Sequence, residues 1–415
     1  MRIGFISKRL ASTDGVSLET AKWARVLQRM GHTCAYLAGE LSPEFQPGRV
    51  VPEMHLHYPV ARATAQRAFE GEAADPELDA QIEAQAAPLR EAIRRFLRDF
   101  DIGLVIVENA LAIPMNLPLG LALTDVLEEM GLPAIGHHHD FYWERPRYQR
   151  TRVRDLLDRC FPPDLPNMRH VVINSLAQDA LRRRRGIESV VIPNVFDFAM
   201  PPSGIDEYSA DFRQAIGLSS DDILILQPTR VIPRKGIELA MELVARLDDP
   251  RCKLVVTHLP GDEGMDYFHR LQAEAARLQI DVRWAFDRVG SQRDWRDGRK
   301  VYALWDVYPH ADFVTYPSYI EGFGNALLEA VYFRRLLLVN RYPVYVADIA
   351  PKGFRFVEID GVITDAAVAQ VRELLADPVR REAMVAHNYE VARRHFSFET
   401  LEALLGEVLK DLIPK

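Results

Sequence analysis

The sequence predicts an α/β protein of two domains, each a parallel sheet with helices on its faces. Three observations carry that expectation. The chain has 415 residues, more than one hydrophobic core usually serves. It opens strand, helix, strand: Arg2 to Ser7 is an apolar run, Leu18, Ala21, Val26, Leu27 and Met30 fall at helical spacing, and Cys34 to Leu37 begins a second strand. Past the middle the pattern restarts, with Ile223 to Gln227 as a buried strand and Ile237 to Leu247 as an amphipathic helix. A repeated βα start of this kind is what two Rossmann-like domains require.

Composition narrows the class. Apolar residues at 48% and charged residues at 27% are those of a globular chain. A net charge of −8 argues against a general nucleic-acid footprint, so no nucleic-acid partner is expected. Cys34, Cys160 and Cys252 are far apart and form no CxxC pair, which speaks against a disulfide framework and for a reducing compartment. Lys8 interrupts the first apolar run too early for a signal peptide, and no apolar run reaches the length of a membrane span. A cytoplasmic protein without integral membrane association is expected, its oligomeric state open.

In the first half, residues 8–17 read as a loop without a Gly-x-Gly-x-x-Gly turn, so a dinucleotide is not expected there. Residues 61–100 are rich in Ala, Glu, Arg and Leu and read as a helical insertion. Ile102 to Glu108 is a strand, 117–130 a helix, and a further strand from Pro133 runs into His137-His138-His139-Asp140. Consecutive strand residues point to opposite faces, so the three histidines cannot all reach one ion. Asp99-Phe100-Asp101 precedes a strand instead of ending one, and no metal site is expected. Arginines at 145, 147, 150, 152 and 154 follow, with Arg145 expected on the same strand-end rim as Lys8. Cations gathered there suit an anionic small molecule. Strands at 170–174 and 189–193 flank a helix whose basic end, Arg182 to Arg185, complements its dipole. Pro201 and Pro202 mark the exit from the domain.

In the second half, strands are expected at 253–258, 282–286, 313–316, 336–340 and 355–358, with helices from 365 to 412. The informative stretch is 311–332. Phe313 to Tyr316 reads as a buried strand, Gly322 and Gly324 as a tight turn, and Ala326 to Tyr332 as a helix start. Such a turn offers free backbone N–H groups and a positive helix end, an anion site. Glu321 and Glu329 add carboxylates that accept hydrogen bonds from hydroxyls. A ligand part phosphate and part polyol, such as a nucleotide sugar, fits both.

Glu321-Gly322-Phe323-Gly324, with Glu329 eight positions after Glu321, resembles the signature of retaining glycosyltransferases of the GT-B fold, family 4 (glycosyl transferases group 1). The resemblance implies that Glu321 contacts the donor sugar, that the glycine turn holds the diphosphate, and that Glu329 holds the ribose. Arg230 and Lys235 match the cations that neutralise the departing diphosphate, while Arg234 reads as an exposed bystander. His139 matches a strand-end histidine beside the reacting sugar. The catalytic set is then His139, Arg230, Lys235 and Glu321, and Phe323 and Asn340 join the donor side. The acceptor set is Lys8, Gly15, Val16, Asp140, Arg145 and Asn194; Val16 departs from the glycine usual in the family at that place.

The implied fold is GT-B, two Rossmann-like domains facing across a cleft with the last helix crossing back. Residues 1–195, with 397–415, are expected to hold the acceptor, and 196–396 the donor. The implied reaction moves mannose or glucose, with retention, from a GDP- or UDP-linked sugar to a small anionic acceptor such as a glycerate or phosphoglycerate derivative. No tightly bound cofactor is expected, and a helper divalent cation is left without a site. The alternatives are a nucleotide-sugar epimerase, another GT-B enzyme, or a non-catalytic sugar-binding protein.

Overall fold

Strand β1 (Arg2–Ser7) is the axis of the first of two units into which the chain divides, Met1–Val195 joined by the C-terminal segment from Phe398. The computed structural model describes residues 1–11, 14–260 and 265–412. Around β1 run α1 (Gly15–Arg29), β2 (Thr33–Ala38), β3 (Gly48–Val50), α2 (Pro59–Phe69), α3 (Pro76–Asp99), β4 (Leu104–Glu108) and α4 (Leu117–Met130). Then come β5 (Ala134–His138), α5 (Arg154–Cys160), β6 (Met168–Val172), α6 (Ser175–Arg185) and β7 (Ser189–Val191). The seven strands pair in the order β3-β2-β1-β4-β5-β6-β7, all parallel. Every residue of β4 and β5 is buried, as a parallel sheet covered on both faces demands.

Two helical expectations change. The α1 helix begins at Gly15, not Leu18, because Asp14 caps it, its side chain accepting from Ser17 N–H. The stretch 61–100 is helical as expected, but it divides into α2 and α3, and one face of α3 packs into the core. Its Leu78, Ile82, Leu89, Ile93 and Phe96 are buried with Leu119, Leu123 and Leu127 of α4. The break comes where Asp75 caps α3 through Leu78 N–H and holds Arg67 at 2.8 Å. The C-terminal helix Phe398–Leu412 completes this unit, burying Phe398, Leu401 and Leu405 with Trp23, Val26 and Leu27 of α1. Residues 413–415 of the expected returning segment lie outside the described residues.

The second unit, Phe196–Ser397, contains α7 (Phe212–Ala215), β8 (Ile223–Gln227), α8 (Ile237–Leu247), β9 (Cys252–Val256), α9 (Asp266–Leu278) and β10 (Val282–Trp284). After β11 (Val289–Gly290), β12 (Asp294–Arg296), β13 (Arg299–Ala303) and α10 (Leu304–Val307) come β14 (Phe313–Tyr316), α11 (Asn325–Tyr332), β15 (Leu337–Asn340) and β16 (Val357–Ile359). Helices α12 (Asp365–Ala376) and α13 (Pro378–His395) finish it. Its main sheet is parallel, in the order β10-β9-β8-β14-β15-β16. The separate ribbon β11-β13-β12 was not anticipated. Its hairpin turns at Asp297-Gly298, both with positive φ (49° and 71°), the Asp-Gly pairing that tight hairpins favour. Among the described residues no helix is long and apolar enough to cross a membrane.

Gly120, inside α4, shows how tightly the first unit is packed: a Cβ there would lie 2.1 Å from the fully buried ring of Phe161. Helix propensity alone favours Ala over Gly by about 1 kcal/mol, whereas overpacking a rigid core costs about 1–3 kcal/mol. Gly120→Ala is therefore expected to lower the melting temperature in thermal unfolding. An unchanged or raised value would show that the ring moves aside freely.

Candidate active site

In the second unit two βα loops lock together. The loop after β8 ends in a single 3-10 turn, Pro233–Lys235, closed by Gly236 in the left-handed region (φ 60°). A side chain at 236 would strike the Pro317 carbonyl at 2.5 Å, so only glycine lets the loop after β14 come this close. Tyr319 N–H donates to the Arg234 carbonyl at 2.9 Å, and the Arg234 guanidinium donates to the Ile320 carbonyl at 3.0 Å. Glu321 then receives Lys235 Nζ on one oxygen and Arg234 on the other, the latter at 3.2 Å. Its carboxylate is buried, which alone would raise its pKa, but the Lys235 and Arg234 charges hold it below the usual range. Lys235 is lowered by its own burial, against the pull of Glu321. Arg234 is thus no bystander: it shares Glu321 with Lys235. Arg230 is exposed, and among the described residues its guanidinium has no hydrogen-bond or ion-pair partner.

The glycine turn is held from beneath. Tyr342 Oη donates to the Phe323 carbonyl at 2.6 Å, and a Cβ on Gly324 (φ 136°) would meet that same oxygen at 2.4 Å. Gly324 stands at the N-cap of α11, its carbonyl accepting from Leu327 N–H at 3.0 Å. Inside α11, Glu329 is buried and accepts from Tyr308 Oη at 2.7 Å. Asn340, at the end of β15, is spent on backbone: its amide donates to Ser318 O at 3.2 Å and its oxygen accepts from Gly361 N–H at 2.7 Å. It braces the turn. Tyr308 and Tyr342 were missed by sequence reasoning, for neither lies in the motif; each reaches it from another segment of the unit.

In the first unit the ends of β1, β4 and β5 bring polar groups together. Lys8 is buried, its ammonium donating to the carbonyls of Asn109 (3.0 Å) and Ile113 (3.4 Å), and burial pushes its pKa down to about 8. Asp140, Arg145 and Arg147 all act on it electrostatically. Arg145 closes a fork on Asp140, with Nε at 2.9 Å. Asn109, in the left-handed region (φ 53°), ties this rim together: its oxygen accepts from His139 N–H at 3.1 Å and its amide donates to Asp140 at 2.9 Å. Its position directly after a buried strand end was the available signal.

His137 and His139 lie two apart on β5 and its exit, hence on one face, and Glu108 of β4 pairs in register with His137. Glu108 Oε2 is 2.9 Å from His137 Nδ1 and 3.5 Å from His139 Nε2. The expectation that the three consecutive histidines cannot all reach one ion holds, since His138 stands outside the cluster, but it left a gap. It counted three consecutive residues and overlooked the alternate pair with a carboxylate from the neighbouring strand. His138 faces away, 2.9 Å from His170 Nδ1. Of the other acceptor-side residues, Gly15 and Val16 form the first turn of α1, and Asn194 is buried on the segment leaving β7.

Comparison with known proteins fits this geometry. The family model for glycosyl transferases group 1 matches residues 209–391. The mannosylglucosylglycerate synthase of Petrotoga mobilis is 34% identical over 387 residues, spanning 86% of this chain and 86% of its own length. The enzyme of the same name from Thermotoga maritima is 33% identical, spanning 99% of this chain and 100% of its own. Among solved structures, the sucrose-phosphate synthase of Thermosynechococcus elongatus matches with a TM-score of 0.68 at 15% identity, covering 99% and 98% of the two chains. Anabaena HepE with UDP and glucose matches at 0.66 and 15% identity, over 98% and 99%. At that identity the structural likeness speaks for the fold alone. The epimerase and the non-catalytic sugar-binding alternatives are set aside, because the chain belongs to the group 1 glycosyltransferases and is a hexosyltransferase of the GT-B fold that draws on a nucleotide sugar.

Proposed function

We propose that this enzyme transfers mannose or glucose, with retention, from a GDP- or UDP-linked sugar to a small anionic acceptor of the glycerate class. The observation that carries the donor half is the locked pair of loops in the second unit, which gathers Arg230, Lys235, Glu321 and the 322–324 turn. Backbone N–H groups of the turn and the start of α11 receive the diphosphate, and Glu329 receives ribose hydroxyls. As the glycosidic bond stretches, negative charge grows on the leaving phosphate, and Arg230 and Lys235 stabilise it. Glu321 positions the sugar; ion-paired to two cations, it is a poor nucleophile.

The first unit takes the acceptor. Lys8 and Arg145 favour an anion, and Asp140 accepts from hydroxyls. His139 stands beside the reacting sugar, its backbone fixed by Asn109. The names of the two long relatives favour glucosylglycerate as acceptor and mannose as the transferred sugar. Buried free cysteines agree with a cytoplasmic setting.

The direct experiment incubates the protein with GDP-mannose, UDP-glucose or ADP-glucose and with glucosylglycerate, glycerate or 3-phosphoglycerate, and identifies the product by anomeric NMR. Transfer from one donor to a glycerate-class acceptor, giving the same anomeric configuration as the donor, is expected. Transfer only to neutral sugars, or with inversion, would overturn the proposal.

Lys8 supplies a pH dependence. Its folded pKa of about 8 lies below the ordinary 10.5, so the cost of its buried charge is present below about pH 8 and is relieved as pH rises toward the unfolded value. Acceptor binding runs the other way, because only the protonated amine attracts a carboxylate. The acceptor KM is expected to be flat below pH 8 and to climb above it. In Lys8→Met it should be raised about tenfold and lose that climb. A wild-type profile unaltered by the substitution would remove Lys8 from the acceptor site.

A further inference from the structure

We propose that Glu108, His137 and His139 form a binding site for a divalent transition-metal ion. One nitrogen from each histidine and one carboxylate oxygen lie within 4.8 Å of one another. The strand geometry makes this convergence stable: β4 and β5 pair Glu108 with His137, and His139 falls two positions on, on the same face. Two imidazoles and a carboxylate suit zinc, cobalt, manganese or iron, whereas calcium and magnesium prefer all-oxygen shells.

A second observation points the same way. Glu108 Oε1 and His137 Nε2 are buried polar atoms with no hydrogen-bond partner among the described residues. His139 Nε2, at 3.5 Å from the carboxylate, is beyond a good hydrogen bond. Protein interiors rarely leave several such atoms unpartnered on neighbouring side chains unless something else satisfies them. Burial also pushes the Glu108 carboxyl above its usual range and His137 down to about 3. Neutral imidazoles are the form that ligates.

The ligands are held in place before an ion arrives. His137 stacks on Trp23 with ring centroids 4.0 Å apart, and Asn109 fixes the His139 backbone. Glu19, a buried carboxylate nearby, adds negative potential while engaged by Lys22 and the Val195 N–H. The side chain of His139 is 10% exposed and forms the accessible edge. All three ligands belong to the first unit, and the proposal does not rest on the transferase reading.

The test uses the full-length protein, stripped with a chelator and desalted, then dialysed against CoCl2 or ZnCl2. Elemental mass spectrometry should find stoichiometric metal in wild type and in His55→Ala, a histidine outside the cluster. His139→Ala, altered at the accessible edge, and Glu108→Gln should lose it while thermal unfolding confirms that they fold. Bound Co2+ should show visible d–d bands. Metal absent from wild type, or retained equally in His139→Ala, would overturn the proposal. Either result leaves nucleotide binding by the second unit untouched, which separates this failure from a failure of the transferase reading.

Discussion

The donor side depends on one buried ion pair, Lys235 with Glu321. Burying a cation or a carboxylate alone costs several kcal/mol, so neither is stable in a buried loop without the other. Together they oblige the loop after β8 and the loop after β14 to meet. That contact then dictates the rest: Gly236 because a side chain would strike Pro317, Tyr319 N–H on Arg234, and Arg234 on Ile320. What results is a rigid frame, with Arg230 left exposed in the same loop as Lys235, on which it acts electrostatically. A cation without a partner among the described residues, within a charged, preorganised loop, is an arrangement suited to stabilising negative charge that develops nearby, since little reorganisation is needed.

The first unit solves a different problem. Three strand ends deliver Lys8, Glu108, Asn109, His139 and Asp140 to one rim, and most of these groups are buried. Asn109 resolves the crowding by adopting a left-handed backbone, which turns its side chain back onto His139 and Asp140. Local backbone strain of this kind persists where the surroundings impose it, often at functional sites. Polar groups in this rim therefore divide into those that brace, such as Asn109, and those that face a ligand.

Much of this was legible in the sequence because parallel α/β domains write their strands as short apolar runs. Ile223–Gln227, Ile237–Leu247 and Phe313–Tyr316 were placed to the residue. The motif 321–329 and the cations at 230 and 235 were visible because they lie at loop ends, where residue type is chemically constrained. Hidden were the contacts that depend on chain crossing. Arg234 read as exposed because nothing local shows that Glu321 arrives beside it. Tyr308 and Tyr342 were invisible for the same reason. The histidine run was read correctly as unable to meet at one ion, but the partnership of His137 and His139 with Glu108 was hidden, since that carboxylate comes from the neighbouring strand. The ribbon at 289–303 was missed although Asp297-Gly298 is a strong hairpin signal; β11 is only two residues long, and β12 is fully exposed and, with the start of β13, charged, so apolar periodicity is weak there.

The central claim is that the locked loops hold a nucleotide diphosphate through two cations of unlike standing. Calorimetric titration of GDP and UDP into wild type, Arg230→Ala and Lys235→Met, with thermal unfolding alongside, tests it most directly. Arg230→Ala should bind the preferred nucleotide at least about tenfold more weakly with an unchanged melting temperature, because a charge-assisted contact is lost and no internal partner is stranded. Lys235→Met should weaken binding and also destabilise the fold by about 3–5 kcal/mol, because Glu321 loses its buried partner. Full nucleotide affinity in Arg230→Ala and Lys235→Met, or no affinity for any nucleotide in folded wild type, would contradict the account.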